Sequence, residues 1–128
     1  MSLEVYLFAA LKSLVSNRVY PVMFPQPAQG VPVWPAIRYT IDTNPEVDLE
    51  GDGDDTTAQQ SVQLDGVATT YAGMRSLRLS IMNAMTTFDP PALLQLSLDD
   101  YDTETKTYRC ILTYEVYGSS DPLPHSPV

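Results

Sequence analysis

The sequence predicts an α+β domain: one antiparallel or mixed sheet of about four strands, with two helices packed on one face. Three observations carry this. Two segments repeat apolar residues at the three-and-four spacing of a helix, and four segments alternate apolar and polar residues with the period of a half-buried strand. These segments follow one another in the order α-β-β-α-β-β, which suits helices laid over an antiparallel sheet. The chain of 128 residues has the length of one domain and buries enough surface for a core without staples.

The first helix is expected over Ser2 to Val15, where Leu3, Leu7, Leu11 and Leu14 share one face. Ser2 suits the N-cap, Glu4 meets the positive end of the helix dipole, and Asn17 suits a left-handed C-terminal residue. Arg18 to Met23 reads as a short extended piece. Pro21, Pro25, Pro27, Pro32 and Pro35 then make a connector that is poor in ladder hydrogen bonds. Ala36 to Thr43 alternates Ile37, Tyr39 and Ile41 with Arg38, Thr40 and Asp42, and Gln60 to Ala68 resumes the alternation. These two strands are expected to pair as a hairpin with a long, mobile tip at 44–57.

Thr70 to Phe88 reads as the second helix, with Met74, Leu77, Ile81, Ala84, Met85 and Phe88 on its apolar stripe and Asp89-Pro90-Pro91 ending it. Leu94, Leu96 and Leu98 are read as one face of a third strand, and Asp99 to Thr105 as a turn. Tyr108, Cys110, Leu112, Tyr114 and Val116 form one face of a fourth strand. The expected domain spans residues 1–118, with 119–128 a flexible Pro-rich tail.

Composition narrows the function. The single Cys110 excludes a disulfide framework or a multi-cysteine metal site, and as an inward strand residue it reads as a small core hydrophobe. The single His125 lies in the Pro-rich tail, where a catalytic triad would lack rigid support. No Gly-rich phosphate loop, nucleophile elbow or zinc spacing is present. A formal charge of −9 argues against general binding of nucleic acid or anionic membrane. The longest unbroken apolar run, Val5 to Leu11, is too short to span a bilayer, and the N-terminus lacks the basic region of a secretory signal. The expectation is a soluble cytoplasmic domain that is not an enzyme and carries no cofactor.

The acidity is local. Residues 42–55 carry seven acids and residues 99–104 carry four, leaving five acids and seven bases elsewhere. Asp48, Glu50, Asp52 and Gly53 partly match a calcium loop. Gln59, however, stands where a bidentate Glu belongs, and Asp55 replaces the usual apolar residue. A solvated hairpin tip suits Asp48, Glu50, Asp52, Asp54 and Asp55 better, and no metal site is assigned. Residues 99–104 read as an Asp-rich turn. Trp34, between prolines, is either a lid over the core or an exposed anchor for a partner. Arg75 and Ser76 fall off the apolar stripe of the second helix, and Arg75 and Arg78 read as solvated residues that in a ring could pair with the acidic loop of a neighbour.

The leucine-rich helix leads into Asn17-Arg18-Val19-Tyr20-Pro21, followed by a Pro-rich connector and the strand Pro35-Ala36-Ile37-Arg38-Tyr39. Next come Val62-Gln63-Leu64-Asp65-Gly66-Val67-Ala68 and Thr70-Tyr71-Ala72 at the start of a helix. In order and spacing, from Leu3 to Tyr117, this resembles the tail-completion (tail-terminator, or tail-to-head joining) proteins of long-tailed bacteriophages and their prophage relatives. Val67 stands where that family often has a bulky aromatic, and the connector from Val22 to Trp34 is unusually rich in proline.

The resemblance implies a structural virion protein with no enzymatic activity. It would form a homo-oligomeric ring, a hexamer, at the head-proximal end of the tail tube and stop tube polymerisation. Its partners would be the tail tube protein and the head connector or neck protein, with DNA passing unbound and no membrane involved. Its place would be the virion tail, after assembly in the host cytoplasm. In such a ring the acidic loop lines the channel or meets a neighbour's basic patch, and Trp34, Arg75 and Arg78 are further interface candidates. Other readings are a neck or minor tail protein at another layer, or a small metal- or ligand-binding domain using the acidic loop.

Overall fold

The computed structural model describes residues 3–25, 33–43 and 59–117. Helix α1 (Leu3–Leu11) continues into a 3-10 turn (Lys12–Leu14), and strand β1 (Val19–Pro21) follows. Next come β2 (Ala36–Thr43), β3 (Gln59–Ala68), helix α2 (Tyr71–Thr86), β4 (Ala92–Asp102) and β5 (Thr107–Tyr117). The order is therefore α-β-β-β-α-β-β, and the sheet has five strands in the order β1-β2-β3-β5-β4. This corrects the expectation of about four strands. The piece from Arg18 to Met23 contains a strand, and β1 pairs in parallel with β2 while all other pairings are antiparallel. Three residues give no measurable alternation, so only the neighbouring strand reveals β1.

Leu3, Leu7 and Leu11 are buried along α1, and Val15 rather than Leu14 completes the row. The 3-10 turn tightens the helix end and rotates the last position away from the helical period. Ser16 and Asn17 then adopt positive φ angles of 53° and 69°, and this reversal delivers Val19 beside Ile37. Helix α2 starts at Thr70, whose Oγ1 accepts from the Gly73 N–H at 2.9 Å. Met74, Leu77, Ile81 and Met85 are its buried residues.

Both helices lie on one face of the sheet. The core joins the α1 and α2 rows to Ile37, Tyr39, Val62, Leu64, Cys110, Leu112, Tyr114 and Val116. Gly66 lies beneath α2: a Cβ there would meet Cys110 Sγ and Leu77 Cδ2 at 3.0 Å and Ile81 Cδ1 at 3.1 Å. The missing side chain thus sets how closely α2 packs on the centre of the sheet.

Strand β4 departs from the expected alternation. Leu94 lies opposite Tyr114, yet Leu96 lies opposite Thr113, so Gln95 is the extra residue of a bulge. Before the bulge, Ala92 and Leu94 pack against the core. After it the faces exchange: Leu96 and Leu98 turn outward, 49% and 48% exposed. Asp99 now points toward the helices and pairs with Arg78 of α2. Strand β4 also runs on to Asp102, so Asp99, Asp100 and Asp102 are strand residues rather than the expected turn.

Candidate interaction face

The sheet face opposite the helices carries the features that point outward. At one end Tyr20, Phe24 and Trp34 pack over Ala36 and Val67. The Phe24 ring meets Trp34 edge-on at 5.1 Å and Tyr20 at 6.3 Å. Val67 faces this cluster, so its small size leaves room for aromatic rings arriving from the connector. Trp34 is half-buried here, on the far side of the sheet from the main core. It is a lid, but over this second, smaller cluster.

Asp65, on the strand face opposite Val62 and Leu64, is nevertheless only 1% exposed. Its carboxylate takes both Nε, at 3.0 Å, and an Nη of Arg38, and accepts from Gln63 Nε2 at 2.9 Å. The Arg38 guanidinium also lies 5.1 Å above the Phe24 ring. A buried charge is tolerable only when paired and hydrogen-bonded, and here three donors surround one carboxylate. Sequence offered one signal: Arg38 and Asp65 both fall on the polar parity of adjacent strands and stand opposite each other in register.

Arg109 and Asp100, also opposite in register, pair at 2.7 Å. This hydrogen bond, followed by one from the Tyr101 backbone, holds the Asp100 carboxyl below its usual range. Arg109 Nε is buried without a hydrogen-bond partner. A cavity of about 210 Å³ opens between the aromatic cluster and the β4–β5 turn, lined in part by Met23, Trp34, Arg38, Thr105 and Arg109. The Thr105 and Thr107 hydroxyls bond to each other at 2.7 Å on its wall.

Beyond the cavity the β4 edge of the outer face is apolar. Leu93, Leu96 and Leu98 stand 56%, 49% and 48% exposed along the edge strand β4. An apolar edge of this length invites another chain. Sequence reasoning missed Leu96 and Leu98 because a single-residue bulge leaves no mark in the hydrophobic pattern.

The remaining candidates separate. Arg78 is engaged by Asp99 of its own chain, with a second contact at 3.3 Å, and Arg75 lies 5.9 Å over the Tyr71 ring. Both are on α2, away from Trp34. Asp48, Glu50, Asp52, Asp54 and Asp55, like the expected mobile tip and the 119–128 tail, lie outside the described residues. Among the described residues no three His, Cys, Asp or Glu side chains gather as a metal site, and no helix is long and apolar enough to cross a membrane. Cys110 is buried and unpaired, and desolvation pushes its thiol pKa up, the reverse of what a nucleophile needs.

Fold and face together define an α+β domain with one sheet face covered by helices and the other carrying a small aromatic cluster and an apolar edge strand. No protein-family model matches the chain, and no curated protein matches it. Among solved structures it is similar in fold to a chain described as "Virion of native gene transfer agent (GTA) particle". The likeness has a TM-score of 0.64 at 14% sequence identity and covers 92% of this chain and 95% of that one.

Proposed function

We propose that this protein is a structural subunit of a phage-like virion: a tail-completion protein that forms a ring at the head-proximal end of the tail tube. There it ends tube polymerisation and meets the head connector, with no enzymatic step and no cofactor. The observation that carries this reading is the fold likeness to a virion chain over nearly the full length of both proteins. The exposed apolar edge supports it, because an assembly subunit needs surface that a monomer leaves unused.

A chain of this length has a radius of gyration of about 14 Å, so several copies are needed to enclose a channel that passes DNA. The net charge of −9 suits such a channel, since it repels the phosphate backbone and keeps the duplex from adhering.

Light scattering coupled to size exclusion tests the reading, with the chain alone and with the tail tube protein. A species near six times 14.2 kDa, ring-shaped by electron microscopy and bound to tube ends, is the expected result. A chain that stays monomeric even with tubes present overturns it. A ring that binds the connector but not the tube moves the protein to a neck layer.

A further inference from the structure

Resting on that ring reading, we infer that neighbouring copies join head to tail, with the Leu93–Leu96–Leu98 stripe on β4 of one subunit docking on Val22 and Met23 beside β1 of the next. Strands β1 and β4 are the two ends of the sheet and, among the described residues, each is paired on one side only. Four strand spacings separate them, about 19 Å. Each end carries its own exposed apolar group: Val22 and Met23 are both 64% exposed, and the β4 leucines 48–56%.

The register sets these groups level. Val22 donates to Tyr39 O at 2.8 Å, one step past the Pro21–Tyr39 pair, which puts it level with Thr40. The row through Thr40 runs on through Gln63 and Thr113 to Leu96. Arg18, whose carbonyl accepts from Ile37 N–H at 2.9 Å, is level with Ala36, and that row runs through Val67 and Arg109 to Asp100. A copy placed beside the sheet therefore brings apolar Val22 to Leu96. It also brings the Arg18 cation to the acidic end of β4, where Asp102 and Glu104 follow Asp100. Both the apolar and the charged groups match in one placement.

Side chains make this contact rather than a continued ladder. Pro21 has no N–H, and Val19 N–H is already given to Asn17 O at 3.0 Å, so β1 is blunted as a ladder edge. Area also decides between symmetries. The three half-open leucines amount to about 300 Å², the size of a functional patch, but well below the ~800 Å² per partner of a free-standing pair. A two-fold dimer would rest on that one stripe. Two different patches per subunit make a head-to-tail contact, which closes into a ring and holds every copy twice.

The test uses full-length chains carrying Leu96→Asp or Val22→Asp. Both side chains are exposed, and Val22 sits at φ 62°, where Asp is better accommodated than Val, so folding is retained and checked by circular dichroism. Each variant alone is expected to weaken assembly at least tenfold. An equimolar mixture is expected to recover one intact interface and stop at twice 14.2 kDa, because each variant keeps the patch the other has lost. Arg18→Glu is expected to weaken assembly and to invert its salt dependence, since salt screens an attraction in the wild type and a repulsion in the variant. Variants that assemble like the wild type overturn the interface while leaving the ring reading standing. A mixture that stays monomeric while the wild type forms rings overturns the head-to-tail pairing. A wild-type chain that never exceeds monomer mass, with or without tubes, overturns both.

Discussion

Replacing Gly66 by Ala tests how α2 is seated on the sheet that presents the candidate face. The added Cβ meets three side-chain atoms from different directions: Cys110 Sγ and Leu77 Cδ2 at 3.0 Å and Ile81 Cδ1 at 3.1 Å. Cys110 and Ile81 are fully buried and Leu77 is 6% exposed, so each must move into space already filled. Overpacking of this kind costs about 1–3 kcal/mol. Ala also restricts the unfolded chain, which returns ~0.4–1 kcal/mol, and the expected net loss is about 1–1.5 kcal/mol. With an unfolding entropy of ~2.1 cal/mol/K per residue, that lowers the Tm of a chain this size by about 4–6 °C. Thermal and urea unfolding followed by circular dichroism reads the loss. A second arm removes Ile81 Cδ1: Ile81→Val is expected to cost about 0.5 kcal/mol less in the Gly66→Ala background than alone, since it relieves one of the three contacts. A Gly66→Ala protein as stable as the wild type, or more so, would refute the view that this glycine sets the helix-to-sheet distance.

Three further outcomes follow from the described geometry. Asp65→Ala leaves the quarter-exposed Arg38 without its carboxylate and is expected to cost about 2–4 kcal/mol; adding Arg38→Met should restore part of this, and full additivity in urea unfolding would refute the pairing. Phe24→Ala is expected to cost about 2–4 kcal/mol and to red-shift the emission of Trp34, the only tryptophan; unchanged emission would refute the aromatic cluster. Burial pushes Cys110 up from 9.0 and Tyr39 and Tyr114 up from 10.0, with the charges of Glu4 and Cys110 adding to the two tyrosines in turn. The folded state therefore holds these protons more tightly than the unfolded state. Their stabilisation is complete below about pH 8 and declines as pH rises through the unfolded and then the folded values. The urea midpoint should fall between pH 8 and 10.5, less so in Tyr114→Phe, and a midpoint that holds steady would refute the assignment.

Much of this architecture was legible in the residues. Ala36 to Thr43 is a strand with the expected bounds, and the second helix, Tyr71–Thr86, falls within the expected Thr70 to Phe88. Tyr108 to Val116 shows the inward parity assigned to it, because long periodic segments leave few other ways to bury their apolar side. Asn17 reverses the chain after α1, as its tolerance of positive φ suggests. The candidate face was much less legible. Asp65 and Arg38 read singly as polar strand residues, and only their cross-strand register makes them a buried pair. Phe24 gave no periodic signal in a proline-rich connector, yet it anchors the outer cluster.

The sequence by itself determined the α+β class, two helices over a mainly antiparallel sheet, and the burial of the lone cysteine. Each follows from short-range periodicity that every residue in a segment reinforces. Only the tertiary structure decided that β1 joins the sheet in parallel, that Trp34 closes a second cluster, and that Leu96 and Leu98 face outward. Those outcomes hinge on one inserted residue, Gln95, or on partners distant in the chain. Hydrophobic patterning records which residues prefer burial, but not which strand slips by one to leave its leucines for another surface.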